Sequence, residues 1–146
     1  MKLYGMPEYA TVEQIKPLTA KARGTLGELT VAKALTAYGF TARKLREGDK
    51  LGDISASTET QLRTIEVKTA FRGSRGTFQF CLKREQKPGM SRGSTDHNNA
   101  DFVMLLAVED DFSVIGFLIP SSVLDLKKIE FADPLACKWR QYLVWQ

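Results

Sequence analysis

The chain has 146 residues, 43% of them hydrophobic and 26% charged, with a net charge of +4. This is enough for one domain with its own core, expected over residues 1–146, and the balance is that of an ordinary globular protein. No run approaches the ~20 apolar residues of a membrane span, Met1-Lys2-Leu3-Tyr4-Gly5 lacks a signal-peptide core, and the expectation is an intracellular, cytoplasmic protein.

Thr11 to Ala20 reads as a short helix broken by Pro17. The next helix is expected from a cap at Thr25 to about Tyr38, with Glu28 three residues after the cap as in a capping box. Gly39 suits the left-handed position past its end, and Phe40 the hydrophobic contact that follows. Leu26, Leu29, Ala32 and Leu35 cover one side at helical spacing, with Glu28 at its rim.

Strands follow in series. Phe40 to Leu45 leads into the charged turn Glu47-Gly48-Asp49-Lys50, and Gly52 to Thr58 with Gln61 to Phe71 forms a hairpin across Glu59-Thr60. Phe78, Phe80 and Leu82 alternate on one face of another strand, where Cys81 is expected as a reduced, packed thiol. Asp101 to Val108 is continuously apolar and short, as suits a buried central strand, and Ser113 to Ile119 is a further strand. Pro120 ends it, Ser121 or Ser122 caps a helical turn from Val123 to Lys127, and Leu135 to Trp145 fits either helix or strand. A helix followed by several strands and a further helix implies an α/β fold with a mixed central sheet flanked by helices.

Three acid-x-lysine triplets occur: Glu66-Val67-Lys68, Glu85-Gln86-Lys87 and Asp125-Leu126-Lys127. Only the first lies in an alternating, β-branched run, where Ile65 and Val67 point inward and Glu66 and Lys68 share the other face, roughly 7 Å apart. A carboxylate and an ammonium so placed make either a solvated ion pair or, with Asp53 on the preceding strand, a seat for a hard divalent cation. Two carboxylates at close range repel unless a cation lies between them, so metal is expected to stabilise the fold. Two cysteines without CxxC spacing and the single His97 exclude a usual zinc site.

Positive charge clusters in the loops around the Phe78 strand, at Arg72, Arg75, Lys83, Arg84, Lys87 and Arg92, with Asn98, Asn99 and His97 close by. These are either phosphate contacts or a solvated basic surface.

Gly27-Glu28 on a helix, Gly52-Asp53 opening a strand and Glu66-Val67-Lys68 on the next resemble the PD-(D/E)XK nuclease superfamily over roughly residues 24–120. The likeness is strongest to the Holliday-junction resolvases and small homing endonucleases of that superfamily, whose opening is similar to Gly24-Thr25-Leu26-Gly27-Glu28-Leu29. Gly52 stands where the name-giving proline belongs. The resemblance implies a restriction-endonuclease-like core and Mg²⁺-dependent cleavage of site-specific duplex or branched DNA, with Mn²⁺ able to substitute. It implies Asp53, Glu66 and the Val67 carbonyl as metal ligands, Glu28 as holder of a metal-bound water, and Lys68 as the residue that orients the attacking water. It further implies DNA contacts at Arg72, Arg75, Lys83, Arg84 and Arg92, and a homodimer or higher homo-oligomer, since two strands need two sites. A non-cleaving DNA-binding module of the same fold and a structural or assembly protein are the alternatives.

Overall fold

The computed structural model describes residues 1–4, 19–47, 49, 51–82, 100–124 and 127–146. The expected Thr11–Ala20 helix falls almost wholly outside these.

Helix α1 spans Ala20–Ala37, more than a turn longer at its start than expected. Its cap is Thr19, whose Oγ1 accepts from the Ala22 amide at 3.1 Å. Thr25 lies inside the helix and donates its hydroxyl back to the Lys21 carbonyl. Glu28 is therefore an interior residue and no capping-box carboxylate.

The far end forms as expected. The Phe40 amide bonds the Leu35 carbonyl and the Gly39 amide the Thr36 carbonyl, with Gly39 at φ 94°. The buried stripe differs, consisting of Gly27, Thr30, Val31 and Leu35, while Leu29 is exposed. Gly27 decides the rotation: a Cβ there would sit 1.9 Å from Thr69 Oγ1, so only a residue without one lets the helix lie this close to the sheet.

The main sheet has six strands: β1 Thr41–Lys44, β2 Ile54–Ser57, β3 Leu62–Phe71, β5 Phe102–Val108, β6 Val114–Pro120 and β8 Leu143–Trp145. Spatial order is β1-β2-β3-β5-β6-β8. The β3–β5 pair is parallel, from Ile65 opposite Phe102 to Phe71 opposite Val108, and the other neighbours are antiparallel. The mixed α/β fold anticipated from the sequence is thus present.

Two short strands, β4 Phe78–Cys81 and β7 Lys128–Phe131, pair antiparallel as a separate sheet. β7 was not anticipated, and the ambiguous C-terminal segment divides into a 3₁₀ turn at Lys138–Tyr142 and β8. The helical turn expected from Val123 to Lys127 lies earlier, as a 3₁₀ turn at Ser121–Val123 that contains both serines expected to cap it, and residues 125 and 126 fall outside the described ones.

Alternation along β3 and β5 sorts the core into two layers. Ile65, Val67, Met104, Leu106 and Val108 pack under α1 against Val31 and Leu35. Ala70, Val103, Leu105 and Ala107 face the other way, with Phe117 and Ile119, onto Phe78, Phe80, Ile129, Phe131 and Trp139. The second face is therefore covered by the small sheet and the 3₁₀ segment, and among the described residues α1 is the one α-helix flanking the main sheet. Cys81 corrects the packed-thiol expectation: it is exposed, because Phe78, Phe80 and Leu82 take the inward positions around it.

Candidate active site

β2 pairs with β3 only through Ile54–Ser57 and Leu62–Ile65. From Glu66 onward β3 continues past the end of its partner, and Asp53 stands at that divergence. Its amide donates to the Ile65 carbonyl at 2.9 Å and its carbonyl accepts from Leu45 at 2.7 Å, which fixes the backbone. Its Oδ2 accepts from the Val67 amide at 2.7 Å, so a side chain completes the ladder where the strand has run out.

Gly52, just before it, sits at φ 121°, which a proline ring cannot adopt. A Cβ there would lie 3.0 Å from the Ile65 carbonyl oxygen. The glycine thus lets the turn deliver Asp53 against β3.

Glu66 and Lys68 lie on the β3 face in register with Val103 and Leu105. Their side chains close to 3.0 Å and are only 15% and 28% exposed, so the pair forms along one strand in a half-buried setting. Glu28 comes from α1, and its Oε2 is held by Lys44 Nζ at 3.1 Å. Lys44 was not anticipated. Its place depends on the β1–β2 register, which sets it opposite Ile54 and beside Asp53, and no local pattern in the sequence carries that information.

Burial pushes the Asp53 carboxyl up to about 6, opposed by the Val67 amide and reinforced by the charges of Glu28 and Glu66, with Lys68 pulling the other way. Glu28, Glu66 and Lys68 are therefore all within electrostatic reach of Asp53. Among the described residues no three acidic, histidine or cysteine side chains converge into a ready metal cage. Mg²⁺ does not require one, since it binds through one or two carboxylates and keeps most of its waters. Hard oxygen donors around a desolvated carboxyl with acidic neighbours fit that ion.

A pH dependence follows, with its sign set by the raised value. Asp53 holds its proton more tightly folded than unfolded, so this contribution to metal-free stability is complete below about pH 4 and is lost as pH rises through about 6. A cation held by Asp53 would require the ionised form, so its apparent affinity should fall up to about tenfold per pH unit below about 6. Titrations of the metal from pH 5 to 8 check this, and a flat profile across that range contradicts it.

Of the expected DNA contacts, Lys83, Arg84 and Arg92 lie outside the described residues, and Arg75 is exposed. Arg72 is built in otherwise. Its Nε and Nη2 bond both oxygens of Glu109, Nη1 donates to the Gly76 and Ala132 carbonyls, and the guanidinium lies 4.4 Å from the centre of the Phe78 ring. Every donor is used and the charge is neutralised, so Arg72 fastens the β3–β4 connection and is not available as a phosphate contact. Arg72→Ala should cost about 2 kcal/mol in urea unfolding, because it strands Glu109 and two carbonyls. A variant as stable as the wild type would contradict that structural role.

No family model matches the chain, and no curated protein matches it. Among solved structures it is similar to a bacterial homing endonuclease, I-Ssp6803I, with a TM-score of 0.68 over 86% of this chain and 89% of that one. The two chains share a fold. At 15% sequence identity the likeness is one of architecture, and the chemistry rests on the residues just described. Among the described residues no helix is long and apolar enough to cross a membrane.

Proposed function

We propose that the chain is a DNA endonuclease of the PD-(D/E)XK type, using Mg²⁺, or Mn²⁺ in its place, to hydrolyse phosphodiester bonds. The observation that carries this is the Asp53 carboxyl, held against β3 by the Val67 amide beside the Glu66–Lys68 pair, with its pKa raised by burial and by its acidic neighbours. The fold shared with a homing endonuclease supports the same reading.

Asp53 and Glu66 would hold the cation, helped by the Val67 carbonyl, and Glu28 would hold a water from the helix side. When bound, the ion supplies Lewis acidity toward the phosphate and lowers the pKa of water. Lys68, beside Glu66 on β3, would orient the attacking water and offset negative charge on the phosphoryl oxygens as it develops. Water oxygen forms the new bond to phosphorus while an ester oxygen leaves and takes up a proton. Lys44 holds Glu28 in place through their 3.1 Å contact.

Cutting both strands of a duplex, or two arms of a junction, requires a second site, so the working form would be a homodimer or larger. The test is incubation of purified protein and Mg²⁺ with supercoiled, linear, nicked and four-way-junction DNA. Metal-dependent cutting of at least one form is expected, and selective cutting of the junction would separate a resolvase from a duplex cutter. Binding without cutting in any form would overturn the nuclease reading in favour of a non-cleaving module.

A further inference from the structure

Immediately past Lys68, β3 enters an open cleft of about 690 Å³. Thr69 lies on one wall, Arg23 reaches it from the first turns of α1, Arg75 from the β3–β4 loop, and Lys128 from the start of β7. Thr77 and Gln79 add neutral polar groups. Three cations from three separate elements thus converge on one cleft whose lining contains no acid among the described residues. The carboxylate these residues contact is Glu130, held by Lys128 at 3.2 Å and by Thr77 at 2.9 Å. Arg23 is placed in advance, its guanidinium 5.5 Å from the centre of the Phe71 ring.

From Lys68 to Phe71 the strand advances about 10 Å. That is the axial rise of about three nucleotides at 3.4 Å each. We infer that this cleft holds the phosphodiester backbone of the DNA strand next to the bond that is cut, through Arg23, Arg75 and Lys128. The inference rests on the endonuclease reading and adds a direction to it: the strand leaves the acidic centre along β3, toward the small sheet. Its open, polar form suits a chain of phosphates better than a small apolar ligand, which takes an enclosed apolar pocket.

The test is metal-free binding of a fluorescent duplex at several salt concentrations by the wild type, Arg23→Gln, Arg75→Gln and Lys128→Gln. Arg43→Gln, exposed on β1 away from the cleft, serves as the control, and thermal unfolding verifies each fold. Each cleft variant should lower the slope of log affinity against log salt by about 0.9, equally on unrelated sequences, with the control unchanged. A wild type that cuts DNA while all three variants keep its slope would overturn the cleft and leave the nuclease standing. Slopes that fall as expected in a protein that cuts nothing would leave the cleft as a DNA-binding surface, and would overturn the nuclease and with it the placing of the cleft beside a cut bond. A wild type that binds no DNA would overturn both.

Discussion

Asp53→Asn should reduce DNA cleavage more than about 100-fold and, at neutral pH, make the metal-free chain more stable than the wild type. Losses of 10–100-fold already follow changes one step removed from a metal, and a direct ligand should cost more. The stability gain has a separate origin. The amide can still accept from Val67 but carries no charge to be desolvated or to repel Glu28 and Glu66. Glu66→Gln should match it in activity, and in addition frees Lys68 from its 3.0 Å partner. Single-turnover cleavage and thermal unfolding measure the two effects. Wild-type cutting in both variants, or an Asp53→Asn chain less stable without metal, would show that the carboxyl serves the fold and not the chemistry.

Lys68→Ala should slow cleavage by about 10²–10³-fold while metal affinity stays within a few-fold of wild type. Its proposed task lies in the transition state, where one aimed donor in a water-poor site is worth about 3–4 kcal/mol. Lys68→Arg should restore little, because a planar fork does not replace a compact ammonium at the end of a strand that also carries Glu66. Rates set beside calorimetric metal titrations make the distinction. If Lys68→Ala cuts normally, the Glu66–Lys68 contact is an ion pair with no further role.

What the sequence revealed of this architecture was its local part. The β2–β3 hairpin, the buried run Phe102–Val108 and the glycine-ended helix were legible because each signal lies within a few residues of the structure it specifies. The helix start was missed because Thr25 has the chemistry of a cap, while the true cap, Thr19, sits before a stretch that includes Gly24. β7 escaped notice because four residues with only Ile129 and Phe131 turned inward make too short an alternation to stand out.

The candidate site divides the same way. Glu66 and Lys68 announce themselves by spacing along one strand, and Asp53 by its glycine. Lys44 and the commitment of Arg72 to Glu109 depend on partners brought together by the sheet, 16 and 37 residues away along the chain. Basic residues in a loop look alike in sequence. Only the fold separates Arg72, whose donors are spent inside the protein, from Arg75, which lines an open cleft.

The most direct measurement is calorimetric titration of the metal-free wild type with Mn²⁺ at neutral pH, beside Asp53→Asn. Saturable binding with proton release in the wild type, lost in the variant, is the expected result. A wild type that binds no divalent cation, or two chains with the same affinity, would contradict a metal-dependent centre built on Asp53 and Glu66.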